Sequence, residues 1–144
     1  MNKKSQLYKI IRSRYRNLSE RSHKYNVKCP SLEELYSEIS LRYTVSTLCP
    51  YCGDRIDLFG KYENSPSFDH IIPLTNGGNS SLENLAFVHT KCNLVKGTTS
   101  YELFMMSLNG IRAFGGQEKV REYLLSAYKG AKVNKITRCE NETR

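Results

Sequence analysis

No stretch of this chain approaches the ~20 consecutive apolar residues that a membrane-spanning helix requires. The charged amino terminus lacks the apolar segment of a secretory leader, so a cytoplasmic location and no membrane partner are expected. Internal repeats and low-complexity tracts are also missing, which excludes a repeat array. Acidic residues are almost absent from one region: residues 1–30 hold nine Lys or Arg against a single Glu, while the other 114 residues hold thirteen of each sign. The whole net charge of +8 therefore sits in one block. A basic block on a neutral body points to a polyanion, because phosphate contacts gain affinity by releasing counterions, and nucleic acid is the leading candidate. The same charges would also serve as a solvated helix face. At 144 residues the simplest organisation is a single domain spanning 1–144.

In the basic segment, 1–30, Leu7, Ile10, Ile11, Tyr15 and Leu18 follow a helical stripe, and Lys9, Arg12, Arg14, Arg16 and Arg21 occupy much of the remainder. Lys9, Arg12, Arg14 and Arg16 are the candidate nucleic-acid contacts; His23 is expected to be an exposed side chain. In the scaffold segment, 31–48, Ser31 and Glu34 form a capping box, opening a helix with Leu32, Leu35, Tyr36, Ile39 and Tyr43 on its apolar face. Thr44 to Leu48 is β-prone and leads into Cys-Pro-Tyr-Cys-Gly. Asp54 to Ser65 reads as a short strand or loop. Two strand-like runs, Phe68 to Pro73 and Leu85 to His89, flank a turn at Gly77-Gly78, and Thr90 to Lys96 has the length of a short helix. Helices follow over 98–130. Thr99 and Glu102 form a second capping box, Asn109-Gly110 ends that helix, and Phe114-Gly115-Gly116 turns the chain. Gln117 to Tyr128 forms a last helix that Gly130 stops. The polar tail, 131–144, is expected to fray.

Of five cysteines, two lie in Cys49-Pro-Tyr-Cys52 and a third in His89-x-x-Cys92. Two chelating pairs of this kind meet the tetrahedral Cys/His preference of a structural zinc, which fits a reducing compartment; the alternative is four unrelated core residues. Cys29 reads as a buried or free thiol and Cys139 as an incidental thiol, neither as a ligand. A closed four-ligand site has no open position and holds the fold together. Between the pairs lies the chemically richest stretch, Ser67 to Gly97, with Asp69, His70, Asn84, Asn93 and Lys96. A hairpin followed by a helix brings Asp69, His70 and Asn93 together.

The series CPYC, DHIIPLTNGG, ENL, HTKCNLVKG, from about Cys49 to Gly97, resembles the HNH endonucleases. The resemblance implies an α+β fold: a ββα-metal core over 49–97, made of a two-stranded hairpin plus a helix, braced by structural Zn²⁺ and flanked by N- and C-terminal helices. It implies His70 as general base, Asp69 as a ligand of the catalytic metal, and Asn84 as support for the histidine and its loop. The last position of the motif is Asn93 rather than histidine. An amide oxygen suits a hard cation, so Mg²⁺ (or Mn²⁺) is the expected catalytic ion, with no organic cofactor. His89 replaces the first cysteine of the second zinc pair. The implied partner is DNA, expected to be double-stranded, in a bacterial or phage setting.

Chemistry supports this expectation. Hydrolysing a phosphodiester requires an activated water and stabilisation of the leaving oxygen. His70, its ring held by a carbonyl or amide oxygen near Asn84, supplies the base; Asp69 and Asn93 hold the metal. Lys96 either contacts a phosphate or is an exposed helix-end lysine. The rival reading is a non-catalytic zinc-ribbon DNA-binding module, which has no need of Asp69, His70, Asn84 and Asn93 together.

Overall fold

The computed structural model describes the backbone of residues 3–142 and the side chains of residues 5–134, so Cys139 lies outside the described side chains. Helix α1 spans Lys3–Lys24 and α2 spans Leu32–Val45. An antiparallel hairpin follows, β1 (Pro66–His70) and β2 (Leu85–His89), and then α3 (Thr90–Lys96) and a long kinked α4 (Tyr101–Glu142). The architecture is α+β, with a ββα core between flanking helices. Among the described residues no helix is long and apolar enough to cross a membrane.

The apolar stripe of α1 packs as its spacing predicts. Leu7, Ile11 and Leu18 are buried, and Ile10 and Tyr15 are half-buried against the same core. Leu35 and Ile39 of α2 join them, behind the capping box in which the Ser31 hydroxyl accepts from the Glu34 amide at 3.1 Å. The five residues of β2 are all buried, so this strand is the centre of the molecule. Phe104, Leu108, Val120 and Leu124 of α4 close the core. Each fully buried aliphatic side chain contributes about 1.5–3 kcal/mol of transfer free energy, and this single cluster ties both ends of the chain to the hairpin.

Several boundaries differ from the expectation. β1 begins at Pro66 and ends at His70 rather than running from Phe68 to Pro73, because Ile71 and Ile72 leave the ladder to bond Asn84. Thr44 and Val45 finish α2, and only Leu48 pairs as an extended residue, bridging Arg55. Asp54 to Ser65 is loop with one 3-10 turn at Tyr62–Asn64. Ser100 caps α4 in place of Thr99, its hydroxyl accepting from the Leu103 amide at 3.2 Å. Gly110 and Gly130 do not stop the helix: both lie within α4, which continues through the expected tail to Glu142. The break falls at Gly116, with φ 76° and ψ −174°, a conformation that favours glycine.

That kink holds the first cysteine turn. Arg112 and Gln117, on either side of Gly116, both donate to the Cys52 carbonyl, at 3.0 and 2.7 Å. Arg121 forks onto both oxygens of Asp54 at 2.9 and 3.0 Å, holding that carboxyl below its usual range. Gly78 has an equally local reason: a Cβ there would lie 1.9 Å from the Ile72 carbonyl oxygen, so only glycine lets the loop fold back.

Candidate active site and metal centre

Cys49, Cys52, His89 and Cys92 converge in the core, with their ligand atoms all within 4.8 Å of one another. Cys49 Sγ and Cys92 Sγ are 3.9 Å apart, and Cys52 Sγ lies 3.3 Å from His89 Nδ1. A tetrahedral zinc with ordinary bond lengths sets these separations at roughly 3.8 and roughly 3.5 Å. The tautomer fits as well. His89 Nε2 lies 3.0 Å from the Arg55 carbonyl, which only accepts, so the proton is on Nε2 and the Nδ1 lone pair faces the sulfurs. Hydrogen bonds from Cys52 and Cys92 hold the Cys49 thiol far below its usual range, whereas Cys92 is pushed up by bonds to Cys49 and Cys52. Burial alone would lower His89, but its bonds with Cys49 and Cys52 outweigh this and raise it to about 10. A divalent cation removes that competition for protons, because all three sulfurs then ionise onto one charge. Donor set, spacing and burial thus fit structural zinc.

The other cluster lies where β1 ends beside α3. Asp69 is buried, and both of its contacts use Oδ2: the Tyr51 hydroxyl donates to it at 2.5 Å and Lys96 Nζ pairs with it at 3.1 Å. Burial pushes this carboxyl above the usual range, opposed by the bonds from Tyr51 and Lys96. Asn93 donates its amide nitrogen to the Phe68 carbonyl at 2.8 Å and to Ser67 Oγ at 3.1 Å. These bonds leave the Asn93 amide oxygen for other partners. Asp69, His70 and Asn93 line one cleft of about 500 Å³, with Arg21 of α1 and Tyr128 and Lys132 of α4 around it. Two oxygen donors held by their second atoms, beside an imidazole, are suited to a hard cation such as Mg²⁺.

His70 is buried, and its ring Nε2 lies 3.0 Å from Ser80 Oγ. Desolvation, with Arg21 and Lys96 nearby, lowers its pKa to about 4, so the ring is neutral near pH 7 and able to accept a proton. The partner on the ring is a serine hydroxyl, not the carbonyl or amide oxygen expected near Asn84. Asn84 instead clamps the loop: its Oδ1 accepts from the Ile72 amide at 2.8 Å, and its Nδ2 donates to the carbonyls of Ile72 and Asn79 at 3.0 and 2.7 Å.

Lys96 also differs from the expectation. Its side chain is buried rather than exposed at the helix end; besides Asp69, the ammonium donates to the His70 carbonyl at 3.2 Å. On α1, residues advance about 100° each, which puts Arg14 and Arg21 on nearly one line and Lys9, Arg12 and Arg16 on the opposite side. Accordingly Arg14, Asn17 and Arg21 border a second small cavity that reaches His70 and Asn93. Arg14 donates to the Pro66 carbonyl and to Ser65 Oγ, both at 3.2 Å, whereas Arg16 pairs with Glu20 on the surface. His23 is exposed as expected, and Cys29 is a half-buried free thiol.

Residues 49–99 match the HNH endonuclease family model. This HNH segment covers about a third of the chain and contains both clusters, from Cys49 through Lys96. The match supports a nuclease-type, metal-dependent function related to DNA. No curated protein and no solved structure matches the chain. Arg14, Arg21, Tyr128 and Lys132 lie outside the HNH segment, so its cleft is completed by flanking helices. Several residues of the site were not singled out from sequence as site residues. Tyr51 stood between two cysteines, and Arg21 lay seven residues beyond Arg14, a helical repeat that face arithmetic detects. Ser80 carried no such signal, since serine is ordinary in a turn.

Proposed function

We propose that the chain is a metal-dependent DNA endonuclease that hydrolyses phosphodiester bonds, with His70 as general base. The reading rests on one observation above the others: Asp69, His70 and Asn93, all of the HNH segment, line a single cleft. The whole of 1–144 acts as one nuclease unit in this reading. The basic helix of 1–30 and the helices of 98–130 embrace the zinc-braced core of 49–97, and the scaffold of 31–48 supports it.

His70 takes a proton from the attacking water, and its depressed pKa keeps it in the base form at neutral pH. Mg²⁺ or Mn²⁺, held by oxygens of Asp69 and Asn93, would supply charge stabilisation of the scissile phosphate and leaving oxygen. Tyr51 and Lys96 fix the Asp69 carboxylate, and the Asn84 clamp fixes the loop that follows His70. Arg21 and Lys132 flank the cleft as contacts for neighbouring phosphates of double-stranded DNA, with Arg14 beside them and Lys9, Arg12 and Arg16 adding to the attractive field from the outer face.

A plasmid cleavage assay with added Mg²⁺ tests the proposal. Wild type should nick or cut, and His70→Ala should keep its fold and DNA affinity while losing about 10²- to 10⁴-fold in turnover. Binding without metal-dependent turnover in wild type would leave the DNA-binding-module reading in its place.

A further inference from the structure

The hydroxyl of Ser80 that meets the His70 ring is not isolated. Ser80 Oγ lies 2.6 Å from Ser22 Oγ, and Ser22 Oγ lies 2.7 Å from the Leu18 carbonyl, one turn earlier in α1. Both serines are buried, at 0% and 1% exposure, so the chain is sealed from water. Counting protons gives it a direction. A carbonyl oxygen only accepts, so the single hydroxyl proton of Ser22 goes to Leu18. Ser22 Oγ must then accept from Ser80, which uses the one proton Ser80 has. Ser80 Oγ is left to accept, and among the described residues the donor facing it is His70 Nε2. The imidazole therefore carries its proton on Nε2, and Nδ1 holds the lone pair.

We infer that Ser22 and Ser80 are positioning residues that fix the base nitrogen of His70 as Nδ1, and that α1 is thereby part of the active site. The catalytic half of this inference rests on the nuclease reading above; the tautomer does not. The relay also gives the Asn84 clamp a purpose. By binding the Asn79 carbonyl at 2.7 Å, Asn84 sets the residue next to Ser80 and so the height of the hydroxyl under the ring. A backbone carbonyl in this position would fix the tautomer alone. Two hydroxyls in series make it depend on a residue that is 48 positions away in sequence and touches neither the ring nor the cleft.

The dependence makes a specific prediction for Ser22→Ala, a substitution that favours the helix. Without Ser22 the hydroxyl proton of Ser80 has no acceptor along the relay and can turn to donate to Nε2, which moves the ring proton to Nδ1. The experiment is long-range proton–nitrogen NMR on the zinc-loaded full chain, wild type and Ser22→Ala, together with cleavage kinetics. Wild type should show the Nε2-protonated ring of His70, and Ser22→Ala should shift it toward the Nδ1-protonated form. Turnover should fall about tenfold or more while the Kd for DNA is unchanged, because the general base then presents a protonated nitrogen to water. A wild-type ring protonated on Nδ1, or a Ser22→Ala variant with the same tautomer and turnover as wild type, overturns the inference. If wild type cleaves no DNA, the nuclease reading fails, and the ring measurement still decides whether the relay exists.

Discussion

Lys96 has a fully buried ammonium whose partners among the described residues are the Asp69 carboxylate and the His70 carbonyl. Desolvating the pair is costly, so the arrangement is retained only while both partners are present: deleting one strands the other in a low dielectric. Lys96→Ala should therefore destabilise the protein by about 3–5 kcal/mol, measured by urea denaturation, far more than an exposed lysine would. A loss below about 1 kcal/mol would mean that the ammonium reaches water in solution. The residue's role follows from its position. It joins α3 to the strand carrying Asp69 and His70, and it supplies part of the positive field that keeps the His70 ring neutral.

At the scale of elements, α4 shows how glycine acquires its meaning from surroundings. Gly110 and Gly130 lie inside the helix with nothing within 4 Å of an added Cβ, so their only cost is propensity, about 1 kcal/mol each. Packing of Phe104, Leu108, Val120 and Leu124 offsets that cost. Gly110→Ala should raise stability by about 0.4–1 kcal/mol and Gly116→Ala, at φ 76°, should lower it. Equal effects in thermal melts would place the kink elsewhere. Gly110 and Gly130 look like stops in the sequence because propensity is local and packing is not, whereas the expected turn at Phe114-Gly115-Gly116 is where the helix does break. Sequence reading located β2 and α3 to the residue because a fully apolar run and a metal-ligand spacing both bounded them. It located β1 less well, since Ile71 to Pro73 look strand-like and the distant Asn84 withdraws Ile71 and Ile72. The residues that the fold brings together were legible wherever residue type restricts chemistry, as for Asp69, His70 and Asn93 at the cleft and for the cluster of Cys49, Cys52, His89 and Cys92. They were not legible where a common residue gains a role from its neighbour across the fold, as Tyr51, Ser22 and Ser80 do. The cysteine cluster has its own test: the purified protein should contain about one zinc per chain, and Cys52→Ser should lose that metal together with cooperative unfolding. A metal-free wild type that melts normally would refute it.

Across the whole molecule, the basic amino-terminal block is a packed layer of the protein, one face of α1 in the core and another bordering the cleft. If DNA enters there, Arg21 displaces condensed counterions, and Arg21→Gln should flatten the plot of log affinity against log salt by ~0.9. Arg12→Gln with Arg16→Gln, on the outer face, should change the slope less. An unaltered slope in Arg21→Gln would move the DNA path away from α1. Tyr51 bears on the molecule in a different way. Its backbone is held in the turn between Cys49 and Cys52, while its hydroxyl fixes the carboxylate that faces the cleft. The cysteine cluster and the cleft thus share a side chain, and thermodynamic reciprocity applies to them: by whatever factor an ion in the cluster tightens the cleft's hold on its own cation, that cation must tighten the cluster's hold in return. A chelator that strips the cluster would then be felt in the cleft before the chain has unfolded.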